Sequence, residues 1–141
     1  MILVPAVKAL IVNDNKFLVV HDQGTTPEGT RYTYWDLPGG KPDYDEDPYE
    51  TIKREVKEET DLDVELKEIV GMFWFMQADK KERCCTVFRC IPKGTDVSID
   101  KNPSDEEKFI EYRWVTKEEF LKDEYHVLHH SLKRLIKDTD I

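Results

Sequence analysis

The sequence contains three closely spaced glutamates: Glu58 and Glu59 lie three and four residues after Glu55. At about 100° per residue, a helix would place their side chains on one face. Like charges at these spacings oppose helix formation by roughly 0.2–0.5 kcal/mol per pair. A divalent cation would reverse the sign of that effect, because hard ions such as Mg²⁺ prefer carboxylate oxygens and often bridge to substrate phosphates. The alternative interpretation is a solvated acidic face, since the penalty is small.

The helix that must carry these glutamates has clear boundary signals. Asp47 is a good N-cap, Pro48 suits the first helical position, and Glu50 has capping-box spacing from Asp47. The residues that follow Thr60 predict that the helix ends there. We expect a buried stripe of Tyr49, Ile52, Val56 and Thr60, and an outer face of Glu50, Lys53, Arg54 and Lys57.

A longer pattern surrounds the glutamates. Gly40 is followed after five residues by Glu46 and after seven more by the run Arg54–Leu62, which reads Arg-Glu-Val-Lys-Glu-Glu-Thr-Asp-Leu. This pattern resembles the Nudix box, and the preceding Trp35–Gly40 segment resembles its usual lead-in. One fixed position differs, because Asp61 stands where the family has glycine. That glycine follows the helix, where left-handed backbone is common, and Asp is among the few other residues that tolerate it.

The resemblance implies hydrolysis of a nucleoside diphosphate linked to another group, with Mg²⁺ as cofactor and Mn²⁺ as a possible substitute. By position, it implies that Glu55, Glu58 and Glu59 are the metal ligands. Either Glu55 or an acidic residue on a later loop would be the general base. On that loop, Glu107 is the candidate within the acidic run 105–107.

Other candidate site residues lie close to the box. Arg54 is expected to orient the glutamates through Glu50 or Glu58, both four residues away. Gly40 is either a close approach of backbone to the ligand or metal, or a plain turn glycine. The cations Lys41 and Arg31 are candidates for binding substrate phosphates, with surface charge as the alternative for each.

Composition narrows the possible partners. The chain has 141 residues and a net charge of −9, with 39% hydrophobic and 36% charged residues. Its length suits a single domain over residues 1–141. The negative charge argues against binding nucleic-acid polymers or anionic membranes. Three cysteines, two of them adjacent, form no disulfide framework, which favours a reducing, cytoplasmic compartment. A nucleotide-type small molecule is the expected partner, and a monomer or homodimer the expected assembly.

The order of predicted elements indicates the fold class. Helix signals follow Thr116, with Glu119 completing a capping box, and the last helix is predicted over Tyr125–Lys137. Five apolar residues of that last helix are expected to face inward: Val127, Leu128, Leu132, Leu135 and Ile136. Strands are predicted at Val4–Val12, Lys16–His21, Tyr32–Leu37, Val64–Met76, Cys84–Ile91 and Lys108–Val115. Strands and helices in this order predict an α/β protein with a mixed β-sheet covered by helices on both faces, in agreement with the α/β/α sandwich of the Nudix fold.

Two alternatives to a hydrolase remain at this point: a non-catalytic nucleotide-binding or sensor module, and an isomerase on the same scaffold. The intact glutamate spacing favours the hydrolase. The substrate choice stays open among nucleoside triphosphates, oxidised nucleotides, ADP-ribose and nucleotide sugars. Downstream of the box, Phe75–Ala78 shows neither the ADP-ribose nor the dinucleoside polyphosphate signature of the family.

Overall fold

The structure is a computed structural model that describes residues 2–103 and 109–141. Within these residues the elements are, in chain order, β1 (Leu3–Asn13), β2 (Lys16–Thr25), β3 (Arg31–Asp36), β4 (Gly39–Gly40), α1 (Pro48–Thr60), β5 (Val64–Met76), β6 (Glu82–Pro92), β7 (Glu111–Val115), α2 (Lys117–Phe120) and α3 (His130–Asp138).

In the described residues, seven strands form a mixed sheet. Its main path runs β3-β2-β1-β6-β5, while β4 pairs with β1 and β7 pairs with β2. The central strands β1 and β6 are parallel, from Leu3 opposite Glu82 to Ile11 opposite Cys90. The other strand pairs are antiparallel. The mixed sheet predicted from the sequence is confirmed.

Alternation along β1 builds two cores, one on each face of the sheet. Val7, Ala9 and Ile11 belong to the core that α1 covers, together with Ile52 and Val56 of that helix. Ala6 and Leu10, at alternate positions of the same strand, belong to the other core, which contains side chains of α2 and α3. Successive side chains of a strand point to opposite faces, so helices cover both faces and the predicted α/β class is confirmed.

The boundaries of α1 agree with its sequence signals, but one residue of its buried stripe was wrongly predicted. The Asp47 side chain accepts a hydrogen bond from the Tyr49 backbone N–H, and Asp61 ends the helix in left-handed conformation, at φ 63°. Tyr49 is 50% exposed, because it lies in the first turn with its ring edge-on to Phe88. Thr51 is buried instead.

The last helix begins later than its apolar periodicity predicts. It starts at His130, because His129 has extended backbone and its Nδ1 accepts from the Ser131 N–H as an N-cap. The residues expected to face inward still contact the core, with Leu132 and Ile136 buried within it and the others packed against it. The capping box of Thr116 and Glu119 at the start of α2 is confirmed.

Two further findings concern the whole chain. Residue 108, where the last strand was predicted to begin, lies outside the described residues, and β7 starts at Glu111. None of the helices in the described ranges is long and apolar enough to cross a membrane.

Candidate active site

A cleft of about 380 Å³ lies beside α1, and all three predicted glutamates line it. Helix α1 contributes Arg54, Glu55, Glu58 and Glu59, and the segment around β4 contributes Gly39, Gly40, Lys41 and Asp43. The opposite wall comes from β2, β3 and the two loops after β5 and before β7, through Asp22, Gln23, Tyr34, Gln77 and Phe109. The helical spacing therefore turns all three side chains toward the same cleft.

Glu59 is the most buried of the three glutamates. It is only 6% exposed, and its Oε1 accepts a hydrogen bond from the Gly39 backbone N–H at 3.1 Å. Burial raises the pKa of Glu59 well above its ordinary value; the Lys8 ammonium opposes this rise and the Glu55 carboxyl adds to it. Glu59 therefore lies close to the Glu55 carboxyl in a poorly solvated position that disfavours the charged form of Glu59.

Gly40 gives the Glu55 carboxyl its space. A Cβ atom added at Gly40 would lie 2.7 Å from both the Cδ and the Oε1 of Glu55. Contacts under 3.0 Å are essentially never formed by real Cβ atoms, so any other residue here must displace the glutamate. The structural role of this glycine is therefore a close approach of backbone to a candidate metal ligand.

Arg54 joins the acidic loop to the glutamates. Its Nε and Nη2 donate to the two carboxylate oxygens of Glu46 at 2.8 and 2.9 Å, a two-pronged contact. Its Nη1 donates to Glu55 at 3.2 Å and to Glu58 at 3.3 Å. The predicted contact with Glu58 is present, whereas Glu50 pairs with Lys53 at 3.9 Å. The expectation that Arg54 covers the outer face was wrong, because these four hydrogen bonds draw it into the cleft.

Glu46 is the partner of Arg54 that reasoning from the sequence missed. Hydrogen bonds from Arg54, the Asp43 backbone and the Thr51 hydroxyl lower the pKa of Glu46 to about 2. The signal was available, since Glu46 is a fixed acidic position of the box. Its carboxylate anchors the arginine that contacts two of the candidate ligands.

The donor set fits a hard divalent cation. Glu55, Glu58 and Glu59 offer only carboxylate oxygens, the ligands that Mg²⁺ prefers. Within residues 2–103 and 109–141, no group of three acidic, histidine or cysteine side chains is arranged to enclose an ion, and Arg54 Nη1 contacts both Glu55 and Glu58 instead. A bound cation would still stabilise the neighbouring carboxylates, because it would offset the repulsion between their charges.

A buried ion pair lies behind Glu59. Lys8 Nζ on β1 contacts Asp36 Oδ2 at the end of β3 at 2.9 Å, and both residues are buried. Burial acts to lower the pKa of Lys8, but Asp36, Cys85 and Glu59 outweigh it and raise that pKa above its ordinary value. The signal in the sequence was a single lysine within an apolar strand.

The remaining predicted residues differ in position. Lys41 lines the cleft beside Gly40. Arg31 is exposed at the first residue of β3, opposite Thr25, and is not brought to the cleft. Glu107 lies outside the described residues.

Comparison with known proteins agrees with this fold. The family model for the NUDIX domain matches residues 3–136. The MutT protein of Methanosarcina mazei is similar in structure, with 30% sequence identity and a TM-score of 0.75, over 96% of this chain and 91% of that one. The MutT NUDIX hydrolase of Burkholderia pseudomallei shares the fold, with 18% identity and a TM-score of 0.73, over 99% and 100% of the two chains.

A relative in sequence is a MutT-like protein of Streptomyces ambofaciens, which is 40% identical over 60 residues. That alignment covers 43% of this chain and 37% of the Streptomyces protein. The fold and the glutamate helix define an α/β protein with a Nudix box, and the family model matches nearly its whole length. The chain belongs to the NUDIX domain family, and the prediction of a Nudix-type enzyme is confirmed.

Proposed function

We propose that this protein is a divalent-metal-dependent Nudix pyrophosphohydrolase that acts on a nucleotide-type small molecule. The observation that carries the proposal is the grouping of Glu55, Glu58 and Glu59 on the cleft side of α1, with Gly40 leaving room for Glu55. These three residues hold the cation, which is Mg²⁺, with Mn²⁺ as a substitute. When bound, the cation neutralises phosphate oxygens and makes water a stronger acid.

The protein's own side chains set the geometry of this reaction. Arg54, anchored on Glu46, orients Glu55 and Glu58 through its Nη1. Glu55 takes the proton of the attacking water, or Glu107 does so from the later loop. Lys41 and the Gly40 backbone bind the substrate's phosphates. Arg31 lies away from the cleft, so we give it at most a role in attracting the anionic substrate.

A hydrolysis screen tests the proposal. Nucleoside triphosphates, 8-oxo-dGTP, ADP-ribose and nucleotide sugars are incubated with the protein and Mg²⁺, and products are identified by ³¹P NMR. We expect cleavage of a diphosphate linkage in at least one class, its loss with excess EDTA, and its return with Mg²⁺ or Mn²⁺. Hydrolysis that persists undiminished in the chelator contradicts the metal mechanism. Nucleotide binding without any cleavage identifies a binding or sensor module instead.

Metal binding is measured separately from activity. Mn²⁺ is titrated into the protein without substrate, and electron paramagnetic resonance measures the free ion, from which the bound fraction follows. We expect Glu59→Gln to weaken Mn²⁺ binding, because an amide cannot release a proton and offer a carboxylate oxygen to the ion. Glu65→Gln, on the exposed part of β5, is the matched control and leaves the titration unchanged.

A further inference from the structure

Three polar side chains form a hydrogen-bonded chain on the cleft wall that faces α1. The Tyr34 hydroxyl on β3 donates to Asp22 Oδ2 on β2 at 3.1 Å. Gln77, which follows β5, donates from Nε2 to the Tyr34 hydroxyl oxygen at 2.9 Å. The Gln23 backbone N–H donates to Asp22 Oδ1 at 2.8 Å. Both oxygens of Asp22 are therefore held in place.

This chain lies where two neighbouring cavities share their lining. The cavity that contains the glutamates shares six lining residues with a second cavity of about 390 Å³, and Asp22, Tyr34 and Gln77 are among them. Lys81 and Arg83 line only the second of these cavities. A nucleotide whose phosphates lie at the glutamates therefore extends its remaining part along the wall formed by the chain.

The hydrogen-bonding positions that Asp22, Tyr34 and Gln77 leave open are mainly acceptors. Tyr34 gives its only proton to Asp22 and accepts from Gln77, so it fixes both neighbours. Burial raises the pKa of Asp22, and the Gln23 N–H, Lys8 and the Tyr34 hydroxyl oppose that rise. As a carboxylate, Asp22 has lone pairs left on both oxygens and no proton to donate. Gln77 retains its amide oxygen and one N–H. A ligand that satisfies this wall must present hydrogen-bond donors.

We propose that Asp22, positioned by Tyr34 and Gln77, selects nucleotides whose base carries an exocyclic amino group. This inference rests on the proposed function and names the substrate class of the same cleft. An amino group donates to a carboxylate, as in the pairing of Asp or Glu with the cytosine N4 amine. A carbonyl oxygen in the same place would set two acceptors against each other and leave both without a partner.

CTP and UTP provide the test, because cytosine has an amino group where uracil has a carbonyl at ring position 4. Uracil also carries a proton at N3 that cytosine lacks, so a contact of Asp22 with N3 would favour UTP and would contradict the inference. We expect kcat/KM to favour CTP by about 10- to 100-fold, the discrimination typical of one well-formed base contact. Calorimetric titration of the α,β-methylene analogues of CTP and UTP, with Mg²⁺ present, reports the same preference without hydrolysis.

Asp22→Asn is the diagnostic variant. Its amide keeps one acceptor oxygen, for either Tyr34 or the Gln23 N–H, and places an N–H donor where the other oxygen was. The CTP-to-UTP ratio is therefore expected to fall to about 1, mainly through KM. Tyr34→Phe removes only the hydroxyl and should lower the ratio partway, through loss of positioning. Asp14→Asn in the β1–β2 turn is the matched control, since Asn tolerates the positive φ of 52° there, and it keeps the full ratio.

The outcomes separate the inference from the proposed function. Equal kcat/KM for CTP and UTP, or an Asp22→Asn variant that weakens both equally, overturns the inference while hydrolysis stands. A large loss of Mn²⁺ affinity in Asp22→Asn also overturns it, because Asp22 would then be a metal ligand. Preferential binding of the CTP analogue without hydrolysis of either nucleotide supports the inference and contradicts the proposed function. Binding of neither analogue overturns the inference.

Discussion

Glu58 and Lys57 are neighbours in sequence but point to different surroundings. Glu58 lines the cleft and contacts Arg54, whereas the Lys57 ammonium lies near Asp61 and Asp63 beyond the helix end. We expect Glu58→Gln to lower kcat by about 100-fold or more, the scale of changes around a metal site. Lys57→Gln, one residue away, should be nearly silent. Steady-state kinetics of the two variants would contradict this assignment if their effects were equal.

Gly40 allows a prediction that separates activity from stability. In Gly40→Ala the new methyl group would displace the Glu55 carboxyl, which is the mobile end of a side chain and can move without unfolding the protein. We expect kcat to fall by about 10- to 100-fold, since small misplacements at a reacting centre are costly. The midpoint of thermal unfolding should change little.

Gly94→Ala is the control for this substitution, because a Cβ there meets no atom within 4 Å and φ is not in the left-handed region. It should preserve both rate and midpoint. A Gly40→Ala enzyme of normal activity would show that Glu55 has no role that depends on its position.

Helix α1 ends at Asp61, which replaces the glycine of the box and has left-handed backbone. Its carboxylate contacts Lys101 at 2.9 Å and Lys57 at 3.4 Å. Asp61→Gly relieves backbone strain, which stabilises the folded protein. It also removes these exposed ion pairs and makes the unfolded chain more flexible, and both of these effects lower stability. We expect the free energy of unfolding to change by about 1 kcal/mol or less, with Mn²⁺ affinity unchanged.

Asp61→Ala is the companion variant, because alanine loses the same ion pairs and keeps the strain. It should be less stable than Asp61→Gly by about 1 kcal/mol in chemical denaturation. A clear fall in metal affinity in either variant would instead make Asp61 a ligand.

Elements with strong local signals were predictable from the sequence, and α1 is the clearest case. Asp47, Pro48 and the apolar spacing determine where the helix begins and which face is buried. The start of α3 was not predictable from periodicity, because the loop residues Val127 and Leu128 also pack on the core without being helical. Apolar spacing reports contact with the core, and only the His129 cap decides where the helix begins.

At the scale of the whole molecule, the sheet brings together residues that no local pattern relates. Lys8 and Asp36 are 28 positions apart, and Tyr34 and Gln77 are 43 apart, yet each pair is hydrogen-bonded. The box predicted the glutamates because their spacing is helical. The opposite wall of the cleft depends on the order of strands across the sheet, so neither Asp22 nor Gln77 could be assigned to it from the sequence.

We expect the free energy of unfolding to fall at alkaline pH because of two buried thiols. Cys85 and Cys90 on β6 are free, completely buried cysteines. Burial raises the pKa of each thiol from an ordinary value near 9 to about 12. In this range the unfolded chain releases both protons while the folded protein keeps them. The stabilisation is therefore fully present below pH 9 and is lost as the pH rises toward 12.

We expect the free energy of unfolding, measured by urea denaturation under reducing conditions, to fall by about 1.4 kcal/mol per pH unit for each thiol between pH 9 and 12. Cys90→Ala should remove one thiol's share of that slope. Val87→Ala is the matched control, because it also opens space in the core of β6 but carries no proton. Val87→Ala should lower the free energy of unfolding by the same amount at each pH, so that its dependence on pH keeps the wild-type slope. If Cys90→Ala and Val87→Ala had equal slopes, the pH dependence would come from groups other than this thiol.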